Sequence, residues 1–369
     1  MIALLACKLP FTPDPLSVSI TSDAVEGRIP FAAQLTAESE AATFTWTLPD
    51  GSTSAGHTLE WTGLSTGDAV FSVVATDGDR TATADITLTV TKALCPAVGE
   101  PSSKGTVEDE ELTEISGVAE SATDPGTLYV IEDANNPAEL VGLNAKGNTT
   151  GWWSLDWATA RDWEDVTVGP DIATGDSMVW IADIGDNEPL DRESVFVAVV
   201  PEPVPGTANG AVDGFEIELT YADGPHDAEA MFVDPVTGDL IVVGKDYEGE
   251  ARIWRKAAPH GPGEAELEEI AVLDFSEDPL SGGAVTAATI SPLGDLIVIR
   301  TYSSLGYAFR RDQAEPLEAA FDSKPCEVEL PNEAQSESIG FAADGTGWWT
   351  VSEAGTSGDA PDVWFTPRE

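Results

Sequence analysis

The feature that most limits the possible folds is an internal repeat in residues 95–369. Each copy has a short apolar stretch, a turn rich in Gly, Asp or Pro, and a second apolar stretch. The copies begin roughly 50–65 residues apart, and further alternating stretches follow several of them, which is typical of a β-propeller with about four strands per blade. The five copies are SGVAESATDPGTLYVIED from Ser116, EDVTVGPDIATGDSMVWIAD from Glu164, EAMFVDPVTGDLIVVGKD from Glu229, TAATISPLGDLIVIRTY from Thr286 and ESIGFAADGTGWWTVSEA from Glu337.

Five copies predict five blades, with six as the alternative if the long second repeat contains a weaker extra blade. The last copy ends after DVWFTP, one strand short of a complete blade. A single blade cannot bury both of its faces, so the ring must close. We expect the segment KGTVEDEEL, which precedes the first copy, to supply the missing outer strand.

Residues 16–93 form a separate predicted domain. Alternating stretches such as ATFTWTL and AVFSVVATD are separated by turn residues and show no helical period, which predicts a small antiparallel sandwich. The chain is therefore expected to be all-β, with residues 1–15 as a tether. FTWTLPDGS and the later VVATDG, with Trp46, Asp50 and Gly51, resemble the polycystic-kidney-disease (PKD) type of Ig-like domain, a resemblance that implies a spacer or adhesion module.

The charge balance narrows the possible partners. The chain has 66 acidic and 17 basic residues, a net charge of −49, and phosphate backbones would be repelled by such a surface. Nucleic acid is excluded on this basis, while cation binding and a secreted surface are both compatible with it. We expect the protein to be a monomer.

The amino-terminal sequence and the cysteines indicate that the protein is exported. Leu4-Leu5-Ala6-Cys7 resembles a bacterial lipobox, which implies lipidation of Cys7 and a protein exported to the cell envelope, with the membrane reached only through the anchor. Cys95 and Cys326 are expected to form a disulfide in an exported chain; the alternative is two unrelated buried thiols.

Acidic residues recur where the predicted inner strands begin. Inner strands line the channel of a propeller, so equivalent positions at their starts form a ring, and all five side chains of this ring offer an oxygen ligand. Such carboxylates repel one another unless they are protonated or bridged by a cation, and a hard, irregular oxygen site suits Ca²⁺. The ring positions are Ser116, Glu164, Glu229, Thr286 and Glu337, and two residues earlier stand Glu114, Asp162, Asp227, Ala284 and Gln335.

A family resemblance covers nearly all of residues 110–360. EISGV, DWEDVTVG, DAEAMFVDP and SESIGFAADGTGWWTVSEA resemble strand starts of the SdiA-regulated type of calcium-binding propeller, of the esterase-like phytase group and, more distantly, of the calcium-activated nucleotidases. The resemblance implies a five-bladed ring with a central Ca²⁺ held by Glu164, Glu229 and Glu337, followed by Ser116 and Glu114. Thr286 departs from an acidic ring.

Whether the protein catalyses a reaction is left open by the sequence. The second strands end in polar residues that would form a mixed rim near the metal together with Arg161 and His226; they are Asp133, Asp183, Lys245, Arg300 and Glu353. These residues either hold an anionic or carbohydrate ligand, assist a calcium-dependent hydrolysis of phosphates or esters, or merely neutralise nearby acids. The leading hypothesis is an envelope protein that binds a ligand or partner on its top face. The alternatives are the hydrolase and a structural adhesin without a pocket.

Overall fold

In the computed structural model, the described residues are 14–368 without 134–135, 188, 204–209, 279–280 and 355–357. They form two compact units, Met1–Ala93 and Leu94–Glu369. Both units are built from strands, and the second also contains two short 3₁₀ helices, Ser281–Gly283 and Leu317–Asp322. No helix among these residues is long and apolar enough to cross a membrane.

The first unit is a two-sheet sandwich. Its strands are β1 (Ser19–Ser22), β2 (Glu26–Arg28), β3 (Phe31–Glu38), β4 (Thr43–Thr47), β5 (Thr53–Ala55), β6 (Thr58–Gly63), β7 (Gly67–Asp77) and β8 (Arg80–Thr91). One sheet has the order β1-β3-β6 and the other β2-β8-β7-β4-β5. Inward residues alternate along β3 and β7, and Leu35, Trp46 and Phe71 are fully buried between the sheets. The predicted sandwich is confirmed.

The second unit begins with β9 (Ser102–Thr106) and then forms blade after blade. Blade 1 contains β10 (Ile115–Glu120), β11 (Thr127–Glu132), β12 (Glu139–Asn144) and β13 (Thr149–Ser154). Blade 2 contains β14 (Trp163–Pro170), β15 (Ser177–Asp183), β16 (Val195–Pro201) and, after the short β17 (Gly210–Ala211) that pairs with β13, β18 (Phe215–Tyr221).

Three further blades complete the ring. Blade 3 contains β19 (Ala228–Val233), β20 (Leu240–Gly244), β21 (Glu250–Lys256) and β22 (Gly263–Asp274). Blade 4 contains β23 (Val285–Ile290), β24 (Leu296–Thr301), β25 (Leu305–Arg310) and β26 (Cys326–Glu329). Blade 5 contains β27 (Gly340–Phe341), β28 (Gly347–Thr350), β29 (Asp362–Pro367) and β9. The outer strands β18 and β22 pair in parallel, which joins blades 2 and 3 into one sheet.

The ring closes as expected, because β9 pairs antiparallel with β29 as the outer strand of the last blade. The inner strands contact one another in the cyclic order β10, β14, β19, β23, β27 and back to β10. Within the part of the chain that is described, this makes a five-bladed propeller and removes the six-bladed alternative. A disulfide joins Cys95 to Cys326 on β26, so the segment leading to the closing strand is tied to blade 4.

The hydrophobic core is divided among the interfaces between neighbouring blades. Five clusters of buried side chains lie in the propeller, and each draws its residues from two adjacent blades. The alternation of side chains along a strand explains this division. Trp348 packs into the interface of blades 4 and 5, whereas its neighbour Trp349 packs into the interface of blades 5 and 1.

Candidate functional site: a carboxylate cluster at the channel mouth

Four of the inner strands carry a β-bulge near the start of their pairing with the second strand of the blade. In each case one residue of the inner strand is skipped in the register with the second strand, and a bulge of this kind redirects the side chain it contains. The skipped residues are Ser116, Glu164, Glu229 and Thr286. These ring positions, aligned from the repeats, are therefore structurally equivalent.

The two hydroxyl side chains of the ring link neighbouring blades. Ser116 donates a hydrogen bond to the backbone carbonyl of Trp163 at 2.9 Å, and Thr286 donates to that of Ser336 at 2.7 Å. Each accepting residue directly precedes the ring position of the next blade. Both hydroxyls therefore link neighbouring blades; these hydrogen bonds use the hydroxyl protons, and the role of Ser116 as a metal ligand stays a prediction.

Three carboxylates converge at one mouth of the channel. Each of Asp133, Asp162 and Glu164 offers an oxygen atom, and these atoms lie within 4.8 Å of one another. Asp162 and Glu164 are buried at the start of β14, and the half-buried Asp133 directly follows β11 in blade 1. This is the geometry in which acids need either protons or a cation.

Burial and mutual repulsion raise the pKa values of this group. Burial, followed by the charges of Asp133 and Asp227, raises the pKa of Asp162 to about 6. Burial also places the pKa of Glu164 well above its usual range, and the neighbouring Glu229 adds to the shift. In the absence of a cation, protons therefore remain on this cluster at neutral pH.

Glu229 is the next acid of this group, and it is paired with the ammonium group of Lys245. Its carboxylate accepts a hydrogen bond from the Lys245 ammonium group at 2.5 Å, and Lys245 also donates to the Tyr302 hydroxyl at 3.1 Å. Burial raises the pKa of Glu229 to about 8 although Lys245 acts in the opposite direction. For Lys245, burial acts to lower the pKa, but the Glu229 carboxylate and Tyr302 outweigh it and raise the value.

Blade 5 completes the arrangement with Glu337 and Glu353. Burial, together with a hydrogen bond to Glu353 and the charge of that residue, raises the pKa of Glu337 to about 9. The Oε2 atom of Glu337 is buried and has no hydrogen-bond partner within the described residues. We call the six acids at this mouth the carboxylate cluster: Asp133, Asp162, Glu164, Glu229, Glu337 and Glu353.

A loop after β15 covers the cluster closely. A Cβ atom on Gly185 would collide with the carboxylates of Asp162 and Glu164, so only glycine fits there. The buried Arg192 fixes the loop, because it donates hydrogen bonds to Asp183 at 2.9 Å and to the Gly185 carbonyl at 2.8 Å. The Asp- and Asn-rich sequence DIGDNEPLD is typical of an ordered loop, but nothing in its pattern identifies Arg192 as the residue that holds it.

Two of the predicted rim cations lie away from the cluster. Arg300 is fully buried and pairs with Glu333 at 2.6 Å, while its second nitrogen donates to the Ser338 carbonyl at 2.8 Å. Arg161 is half-exposed and pairs with Asp191 in the loop. Local acids therefore neutralise both arginines, which agrees with the sequence alternative that these cations merely pair with nearby acids.

Of the other predicted site residues, Glu114 and His226 lie outside the carboxylate cluster. Glu114 is exposed beside Glu132 and lies outside the group of converging oxygens. His226 is bound to Asp223 at 2.7 Å and packs against the rings of Tyr221 and Trp254. Asp133 was recognisable only as the residue that follows a second strand. Cys7 lies outside the described residues.

A polar cavity of about 400 Å³ lies beside the carboxylate cluster. Lys245, which pairs with Glu229 of the cluster, is one of its lining residues. Aromatic and cationic side chains face it together, and the ammonium group of Lys245 lies 5.5 Å from the centre of the Tyr247 ring. Its lining residues are Asn187, Leu190, His226, Asp227, Gly244, Lys245, Asp246, Tyr247, Glu250, Arg252 and Trp254. We call this space the side cavity.

The fold and the site together define the class of protein: an all-β chain whose five-bladed propeller carries buried acids at one mouth of its channel. Propellers commonly act as scaffolds that bind ligands or partners. No protein-family model and no curated protein matches the chain.

Solved structures that are similar to the chain include two with low TM-scores. The chain is similar to the WD40 repeats of RRP9, with 8% identity, a TM-score of 0.39 and coverage of 73% of this chain and 100% of that one. It is also similar to a solution NMR structure from Methanosarcina mazei, with 23% identity and a TM-score of 0.21. That match covers 25% of this chain and 63% of the other.

Proposed function

We propose that the protein is a calcium-dependent binding protein that holds a small anionic ligand, a phosphate ester or an acidic sugar, at the carboxylate cluster. The observation that carries this proposal is the convergence of Asp133, Asp162 and Glu164 within 4.8 Å. Removing three such acids from water costs several kcal/mol unless a positive charge compensates them.

The donor set fits Ca²⁺. All candidate ligand atoms are carboxylate oxygens, and Ca²⁺ accepts six to eight oxygens in irregular arrangements. The buried, unpartnered Oε2 atom of Glu337 is an orphan that a cation would satisfy. Asp133, Asp162 and Glu164 would hold the ion, and the ion would supply a positive centre for an anionic group of the ligand.

The side cavity supplies the rest of the ligand site. Lys245 lies between the carboxylate cluster and the side cavity, and its ammonium group suits phosphate or carboxylate oxygens. Arg252 lines the same cavity, where it is paired with Asp223, Glu250 and Glu269. The exposed ring of Tyr247 offers a face on which a sugar ring can stack. An anionic sugar would thus bind the ion with its charged group and the cavity with its ring.

The distribution of cations favours binding over hydrolysis. A hydrolase of phosphates or esters needs its donors to converge on the reacting group. Arg161 and Arg300 are instead committed to Asp191 and Glu333, and His226 to Asp223. The alternative of a calcium-dependent hydrolase is therefore placed second.

The cellular setting belongs to the same proposal. The lipobox-like Leu4-Leu5-Ala6-Cys7 supports export and a lipid anchor on Cys7, and the disulfide between Cys95 and Cys326 suits an oxidising compartment. Trp46 at the centre of the sandwich core supports a PKD-like spacer, and the five blades support the resemblance to SdiA-regulated and esterase-like phytase propellers.

Calorimetric titration of the whole chain with glucose 6-phosphate tests this function, with glucose and glycerol 3-phosphate as partial ligands. We expect binding of glucose 6-phosphate in 1 mM Ca²⁺ and a loss of at least tenfold in EDTA. The variant Arg252→Gln should lose at least tenfold, because one phosphate contact disappears. Arg255→Gln, on the same strand but outside the side cavity, is the control.

Two results decide against the proposal. Equal binding with and without Ca²⁺ would remove the metal from the site. Release of inorganic phosphate from glucose 6-phosphate during the titration would establish the hydrolase in place of the binding protein.

A further inference from the structure

The opposite mouth of the channel carries a second, chemically different cavity. It has a volume of about 320 Å³ and is lined by the final residues of all five inner strands. Its walls are mainly aliphatic and aromatic, with Val118, Val166, Val233, Ile290 and Phe341 among them. The volume is near the lower end of roughly 300–1,000 Å³ for ligand pockets. We call this space the apolar cup.

Along β14, Asp165 lies between Glu164 of the carboxylate cluster and Val166 of the apolar cup. This residue is fully buried, and its carboxylate accepts hydrogen bonds from the backbone N–H groups of Val166 and Met231, each at 2.8 Å. Asp165 thus links blades 2 and 3. The residues that line the apolar cup are different from the acids of the carboxylate cluster.

Exposed aliphatic side chains extend the apolar surface beyond the cup. Ile172, Val236 and Leu293 are 46%, 39% and 46% exposed. All three occupy the turn between the first and second strands of their blade, in the adjacent blades 2, 3 and 4. Ile172 lies against Gly238 of the next blade, and Val236 against Gly294, so the three form one continuous row. A contiguous patch of this kind marks an interaction surface.

The turns between the first and second strands of blades 1, 2 and 5 carry negative charge. Asp171, Asp176 and Asp344 lie in the turns of blades 2 and 5, and Asp124 lies in that of blade 1. In blades 3 and 4, Asp234 and Asp295 are instead paired with Arg311 and Arg368, each at 2.5 Å. The acidic turns of blades 1, 2 and 5 border the apolar cup, and we call them the acidic rim.

We propose that the apolar cup and the row Ile172, Val236 and Leu293 form a docking site for a partner polypeptide segment that has an apolar anchor flanked by lysine or arginine. The anchor fills the cup, the adjoining residues cover the aliphatic row, and the basic residues face the acidic rim. Charge complementarity selects this occupant, since a second copy of a chain with net charge −49 would be repelled.

The extent of the apolar surface favours a polypeptide over a small molecule. A ligand confined to about 320 Å³ would leave the aliphatic row of three blades exposed to water. An extended segment covers both the cup and the row, and removing three such side chains from water favours its binding.

Fluorescence anisotropy with a labelled probe peptide tests the docking site. The probe has the sequence Lys-Lys-Leu-Phe-Leu-Lys-Lys, and two reference peptides replace either its three apolar residues by Ser or its lysines by Glu. We expect the probe to bind the whole chain at least tenfold more tightly than both references. The combined variant Ile172→Ser, Val236→Ser and Leu293→Ser should weaken it at least tenfold.

Controls separate docking from general attraction to an acidic surface. Val272 on the outer strand β22 is 51% exposed and lies outside the cup, so Val272→Ser should bind the probe as the unchanged chain does. The melting temperature of each variant shows whether it is folded. Equal binding of the probe and its Ser reference, unchanged binding by the folded triple variant, or failure of the probe to bind would each overturn the proposal.

Discussion

Replacing Arg300 with methionine is expected to destabilise the propeller by about 3–5 kcal/mol, the cost of leaving a buried charge unpaired. Arg300 has no exposed surface, and it holds Glu333 at 2.6 Å as well as the carbonyl of Ser338. Thermal unfolding should show a fall in Tm of about 10 °C, from a shift of roughly 2–4 °C per kcal/mol.

The double variant Arg300→Met with Glu333→Leu is the matched control for this prediction. It removes both charges and leaves an apolar contact, and replacement of a whole buried pair is often neutral. Most of the lost stability should therefore return. A loss of less than about 1 kcal/mol in Arg300→Met would show that this ion pair does not hold blades 4 and 5 together.

Removal of the disulfide is expected to have an effect of similar size. Cys95 and Cys326 are 231 residues apart, and the chain-entropy relation gives about 5 kcal/mol for a loop of that length. The bond also lies just before β9, the strand that closes the ring. We therefore expect the variant Cys95→Ala with Cys326→Ala to unfold at a clearly lower denaturant concentration than the unchanged chain.

A reducing agent provides the internal control for the disulfide prediction. Dithiothreitol should shift the denaturation midpoint of the unchanged chain to that of the double alanine variant and leave the variant itself unaffected. A midpoint that is the same in all four measurements would mean that hydrogen bonds between β9 and β29 close the ring without help from the bond.

The architecture could be read from the sequence because each repeat contains its own boundary signals. The turns PVTGD and PLGD between apolar stretches mark the first two strands of their blades, and the strand before Glu114 closes the ring as its position suggested. The ring positions were also recognisable, because a repeated alignment preserves equivalence even where a bulge interrupts the pairing.

The partners of individual side chains were harder to predict from the sequence. Repeat alignment places a residue on a strand but does not show which acid reaches it from a loop, so Arg300 and Arg161 were assigned to the metal although Glu333 and Asp191 bind them. Asp133 was expected in the polar rim and not among the converging acids, because it follows a second strand rather than preceding a first one. Such contacts depend on loop conformation, which has no sequence period.

The carboxylate cluster gathers buried acids at an energetic cost that a bound cation would offset. Burial and neighbouring charges raise the pKa of Asp162 to about 6, of Glu229 to about 8 and of Glu337 to about 9. A metal that binds there must displace protons, so its affinity should rise as pH rises through these values.

The most direct test is a calorimetric titration of the whole chain with Ca²⁺ at pH 6, 7 and 8, in buffers of different ionisation enthalpy. We expect one tight Ca²⁺ site, measurable proton release at pH 7, and an affinity for Ca²⁺ that increases with pH. Asp162→Asn should weaken binding at least tenfold, whereas Glu114→Gln, an exposed acid at the neighbouring strand start, should not. Absence of binding, or equal binding by Asp162→Asn without proton release, would contradict the central claim.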